Sequence, residues 1–129
     1  MSYYFSTKVK DLNFDDAIEN VTEVLKKEGF GVMTVIDVKE KFKEKIDVDF
    51  KKYTILGTCN PHFAYEALKN EDKIGVLLPC NVVVEEHENG EIEISAVDPI
   101  ASMGAVKNES LNDIALEVQQ KLKSIIESL

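Results

Sequence analysis

The sequence predicts an α+β domain in which helices pack on one face of an antiparallel or mixed sheet. Three observations lead there. Strand and helix patterns follow one another as β-α-β-(α)-β-α-β-β-α, closing on two adjacent strands and a long helix. Those two strands flank Asn89-Gly90, the strongest turn signal in the chain, and a doubly wound parallel sheet does not normally carry a tight hairpin at its centre. Such a sheet would also be supported by a Gly-rich phosphate loop, and none is present.

Each element has its own local reason. Tyr3 to Val9 is rich in aromatic and β-branched residues and predicts a first strand. A helix follows, with Asn13 as its cap, Asp15 and Asp16 in its electropositive first turn and Gly29 at its end. Ala17, Ile18, Val21, Val24 and Leu25 form its apolar stripe, with Leu12 placed to staple against Ala17. Gly31 to Val38 predicts a buried strand, and Lys39 to Ile46 a short polar helix with Phe42 and Ile46 on one face.

Tyr53 to Cys59 is the third strand, with Tyr53, Ile55, Gly57 and Cys59 on one face and Thr54, Leu56 and Thr58 on the other. Asn60-Pro61 is a cap followed by proline at the first helical position, with Phe63, Ala64, Ala67 and Leu68 facing inward. Ile74 to Leu78 is apolar with no decisive local signal. Val82 to Val97 is the hairpin, and Asp98-Pro99 repeats the cap-then-proline pattern into a short helical turn ending near Met103. Leu111, Ile114, Val118, Leu122, Ile125 and Leu129 recur at steps of three and four, predicting a last long helix with Ser110 and Asp113 as a capping box.

The 129 residues suit one domain, 1–129, able to bury roughly two-thirds of its unfolded surface without staples. No linker, repeat or low-complexity tract divides it. The net charge of −9 disfavours binding to nucleic acid or to an anionic membrane, since counterion release needs clustered lysine and arginine. The densest basic stretch, Lys39 to Lys52, interleaves six lysines with four acidic residues and reads as a solvated face. No apolar run approaches the ~20 residues of a membrane span. With no targeting signal at the N-terminus and only two cysteines, a cytoplasmic location with both thiols reduced is expected.

The residues that carry chemistry centre on two Cys-Asn pairs, Cys59-Asn60 and Cys80-Asn81. Cys59 stands at a strand end just before a helix cap, where a helix N-terminus would lower its pKa. Cys80 follows Pro79 at the start of the hairpin. Both flank strands, so the two can meet in space, although the plainer reading of each is a small buried hydrophobe. Cys59-x-x-His62 with Cys80 and His87 supplies four ligand types suitable for zinc, but the spacing matches no common finger or ribbon, and surface histidines are commoner than ligands. No metal ligand is therefore assigned.

The Asn60-Pro61 and Asp98-Pro99 junctions are well explained as helix starts. Placed at one end of a sheet, they would also aim backbone N–H groups at a shared pocket lined by Asn81 and Met103, fit for a small anion or polar ligand. The serines lack a nucleophile-elbow context, and Asp15-Asp16 and Glu85-Glu86 read as solvated charge on a helix cap and a hairpin.

Taken together, Gly57-Thr-Cys-Asn-Pro61, Ala64, Ala67-Leu68, Gly75-Val-Leu-Leu-Pro-Cys-Asn-Val82 and Asp98-Pro99 resemble the bacterial and archaeal family called domain of unknown function 302. The Glu28-Gly-Phe-Gly31 turn matches as well, so the resemblance covers nearly the whole chain. It implies a curved antiparallel sheet under helices, grouped with TATA-binding-protein-like (TBP-like) sheets, and a homodimer. Its recurrent positions correspond to Cys59, Asn60, Pro61, Pro79, Cys80, Asn81, Asp98 and Pro99; His62 and His87 lie outside them. The family implies no activity and no cofactor.

The leading expectation is a non-enzymatic module binding a small ligand or metal near the Cys-Asn segments, with Cys59, Asn60, Cys80, Asn81, Asp98 and Met103 as ligand-binding residues. Behind it stand a thiol-dependent enzyme or redox protein using Cys59 and Cys80, and a structural or interaction protein with both cysteines in its core.

Overall fold

The computed structural model describes residues 2–129. Five antiparallel strands form one open sheet, β1 (Tyr4–Val9), β2 (Gly31–Asp37), β3 (Tyr53–Cys59), β4 (Cys80–Glu86) and β5 (Ile92–Val97), in the order β1-β5-β4-β3-β2. The helices are α1 (Phe14–Lys27), α2 (Val38–Ile46), α3 (Pro61–Asn70), α4 (Pro99–Ser102) and α5 (Asn112–Ser128). Helix α1 carries the chain from one sheet edge to the other, so β1 and β2 end as the two outer strands. Helices α1 and α5 pack against the same face, and α3 reaches α5.

The period of two in each strand decides what is covered. Leu56, Val82, Val84, Ile94 and Ala96 point into the core, where they meet Ala17, Val21 and Leu25 of α1 and Val118, Leu122 and Ile125 of α5. The residues between them, among them Ser6, Ile55, Val83, Glu85, Glu93 and Ser95, stand on the face that no helix covers.

The local chemistry works as the residue types require. The Asn13 side chain accepts from the Asp16 N–H at 2.8 Å. Gly29, at φ +85°, lets α1 end with Phe30 and Gly29 N–H groups returning to Leu25 and Lys26 carbonyls. In the hairpin, Gly90 takes φ +85°, and the β4–β5 register places Glu85 opposite Glu93 and Val84 opposite Ile94.

Three expectations change, and one open segment gains a structure. The Gly31–Val38 segment is a strand through Asp37, but not a buried one: as an outer strand it leaves Met33 and Val35 more than 60% exposed. Ser110 and Asp113 do not cap α5. Asn108 accepts from the Ser110 N–H at 3.1 Å and starts a 3-10 turn, Glu109–Leu111, that runs into the helix. Leu68 is largely exposed, so the inner face of α3 is Phe63, Ala64 and Ala67. The undecided apolar segment is a 3-10 turn, Asp72–Leu77, that buries Ile74 in a small second cluster with Ala67 and Leu111.

Candidate functional site

Antiparallel order brings both strand-to-helix junctions to one end of the sheet. Strands β3 and β5 run alike, so Cys59 and Val97 finish where β4 begins at Cys80. Around that end lies a narrow crevice lined by Cys59, Asn60, Phe63, Ala67, Leu78, Cys80, Pro99, Met103 and Ile114, among others. It encloses about 30 Å³, room for a water or two. Met103 is also part of an adjoining groove of about 320 Å³ with Ile100, Val106, Leu111 and Leu116.

The polar groups at this end are already committed. Asn60 accepts from the His62 N–H at 3.2 Å and Asp98 from the Ile100 N–H at 3.0 Å, so each caps the helix it precedes. Gln119 Nε2 donates to both Asp98 oxygens, at 3.1 and 3.2 Å, and the Asp98 N–H donates to the Tyr3 carbonyl at 2.8 Å. Thr58 Oγ1 donates to the Cys80 carbonyl at 2.9 Å. Each cap side chain thus takes one N–H of its own helix start, and the crevice walls are apolar. An anion or strongly polar ligand finds few partners here.

The thiols follow the same logic. Burial pushes the Cys59 pKa up, against the lowering expected from the α3 N-terminus. For Cys80, burial and, to a lesser degree, the neighbouring Cys59 push it from 9.0 up to about 11. Both groups are neutral thiols at neutral pH, which disfavours the thiolate that a nucleophile needs.

Of the six residues expected to bind ligand, Cys59, Asn60, Cys80 and Met103 meet at the crevice. Asp98 is a cap bonded to α5, with its neighbour Pro99 on the crevice wall. Asn81 is exposed on the other face, because alternation turns it away from Cys80. The four-ligand set of Cys59, His62, Cys80 and His87 does not assemble: Cys80 opens β4 and His87 follows its end, a separation of roughly 20 Å along the strand.

The uncovered sheet face holds what the residue pattern did not bring forward. A depression of about 370 Å³ is lined by Tyr3, Tyr4, Tyr53, Asn81, Val83, Glu85, Glu93 and Ser95. Hydrogen bonds from Ser6 and His87 hold Glu93 below the usual carboxylate range. Counting outward from Asn89-Gly90 as a two-residue turn would pair Glu93 with Glu86; the loop closes instead between His87 and Glu91, and that shift of one residue sets Glu85 opposite Glu93.

Comparison with known proteins agrees with this architecture. The crystal structure of an uncharacterized conserved protein DUF302 from Bacillus stearothermophilus is similar, with TM-score 0.89, 32% identity and 98% of each chain covered. An uncharacterized protein of Aquifex aeolicus (strain VF5) is 21% identical over 94 residues, 73% of this chain. The match spans 59% of that relative's length. Among the described residues no helix is long and apolar enough to cross a membrane. The model of the family described as domain of unknown function DUF302 matches residues 5–129, and the chain belongs to that family.

Proposed function

We propose that the chain is a non-enzymatic binding module that takes a small, mainly apolar ligand at the crevice. One observation carries this reading: Cys59, Asn60, Cys80 and Met103, drawn from separate parts of the sequence, converge with Phe63 and Leu78 on a single apolar cleft. Ala115 and Met103 line both the crevice and the adjoining groove, and of the two only Met103 has a side chain that can change rotamer. Its unbranched thioether side chain is adaptable, so a change of rotamer joins the two spaces. The crevice then reaches the size range of small-molecule sites. Raised thiol pKa values weigh against the thiol-enzyme reading.

Methyl NMR with benzene as the probe tests this. Saturable shifts are expected at Ala64, Ala67, Met103, Ile114 and Val118, and Met103→Ala should increase them by opening the entrance. Shifts no larger at these methyls than at Val83 and Ile55, on the uncovered face, would refute the reading.

A homodimer is the second element of the proposal. It is favoured by apolar groups left on the uncovered face and outer strands, including Tyr3 at 67% exposure, Tyr4 and Ile36. Sedimentation equilibrium should return twice the chain mass, falling to one chain mass with Tyr4→Glu. A monomer at all concentrations would count against it.

A further inference from the structure

On the uncovered face, Glu85 of β4 and Glu93 of β5 are direct cross-strand partners. His87, two residues after Glu85, comes to the same side. Its Nε2 lies 2.7 Å from Glu93 Oε1, and one ligand atom from each of the three residues lies within 4.8 Å of the others. None of the three is fully exposed. Like charges opposed across a sheet repel unless a cation stands between them. Here Lys51 Nζ sits 2.7 Å from Glu85 Oε1, while Glu93 relies on His87 and on Ser6 Oγ, which donates to its second oxygen. Ser95 Oγ in turn donates to Ser6 Oγ at 3.3 Å.

We infer that Glu85, His87 and Glu93 form a binding site for a first-row divalent cation of the Zn²⁺ or Co²⁺ type. One imidazole nitrogen and two carboxylates suit such ions, whereas the imidazole disfavours Ca²⁺ and Mg²⁺. Bond lengths of about 2.0–2.2 Å put ligand atoms about 3–4 Å apart, a contraction that side-chain rotation supplies. Ser6 is the outer partner that orients Glu93, as metal-bound carboxylates require. Positions left open on the ion face the depression beside Tyr53 and Ser95, where water or an oxygen ligand completes the shell. Lys51 is a built-in competitor: its ammonium occupies Glu85 and leaves when the ion enters. Lys8 pairs with Glu91, at 3.5 Å, so it does not occupy Glu93.

The test is a Co²⁺ titration of the full chain followed by its visible absorption, with equilibrium dialysis against Zn²⁺ and metal analysis for stoichiometry. One ion per chain is expected. His87→Ala and the near-isosteric Glu93→Gln should each weaken binding by more than about tenfold, and Ser6→Ala by about tenfold. Lys51→Met should tighten it. The double variant Cys59→Ser/Cys80→Ser should bind as the parent does, which separates this site from any thiolate site. No saturable binding, binding indifferent to Glu93→Gln in a protein of unchanged circular dichroism, or loss of binding in the double cysteine variant would each overturn the inference.

Discussion

Alkaline pH should destabilise the fold through one thiol. Cys80 is mostly shielded from water, and its pKa rises from 9.0 to about 11, first through burial and then through Cys59. Between those two values the unfolded chain has released the proton that the folded chain keeps. The folded state therefore binds more protons, and stability falls as pH rises. The contribution is complete below 9.0 and lost as pH passes 11. A rise of about two units corresponds to about 2–3 kcal/mol, and to roughly a hundredfold less thiolate at neutral pH than a free cysteine has. The assay is denaturant unfolding across this range in a Cys59→Ala background, where only Cys80 titrates as a thiol. The same series in Cys59→Ala/Cys80→Ala subtracts tyrosine and lysine effects. The difference in slope should appear above 9.0 and not below it. Equal slopes, or a thiolate absorbance midpoint at or below 9.0, would refute the claim that Cys80 is buried and neutral, and would revive the thiol-enzyme reading.

Three further outcomes follow from packing. Leu56→Ala removes a fully buried side chain at the centre of the core and should cost about 2–5 kcal/mol, read as a lower urea midpoint at constant slope. Gly57→Ala places a Cβ 2.9 Å from Pro79 Cγ and closer still to Thr34 Oγ1, so a cost of about 1–3 kcal/mol is expected. Adding Thr34→Ala should recover part of that loss; a neutral single variant would contradict the packing argument. Asn60→Ala removes the α3 cap and should cost about 1 kcal/mol, with Asn60→Ser recovering most of it in the same thermal or urea measurement.

The sequence yielded those parts of the fold that rest on local chemistry. Asn13, Asn60 and Asp98 cap the helices they were expected to cap, and Gly29 and Gly90 take the backbone conformations their turns need. The faces of β3 were readable from alternation as far as Thr58; Cys59, grouped by alternation with Tyr53 and Ile55, instead lines the crevice at the strand end. What depended on neighbours was not readable. An apolar run such as Gly31-Val-Met-Thr-Val-Ile36 looks the same in a central strand and an outer one, and only the pairing order exposes it. Asn108 displaced Ser110 as a cap because a 3-10 turn joins the helix at a place no spacing rule marks. At the site, the recurrence of Cys-Asn and the Pro junctions pointed to the right end of the sheet. It did not show that the caps consume the polar groups and leave the crevice apolar, nor that burial outweighs the helix N-terminus at Cys59.

The two residues of the Pro-Cys-Asn segment belong to different faces, and that separates the two proposed sites. Cys80 faces the crevice, while Asn81, Val83 and Glu85 lie along the uncovered face toward His87. A substitution at one position should therefore leave the other site alone. Cys80→Val is close in shape and puts a second branch into a crevice of about 30 Å³, so the benzene shifts should be lost while the Co²⁺ titration is unchanged. Asn81→Ala alters an exposed side chain opposite Gly57, and should change stability by no more than about 0.5 kcal/mol while preserving the benzene shifts. If Cys80→Val weakened Co²⁺ binding in a protein that still folds, β4 would have to transmit strain between its faces, and the two sites could not be treated as independent.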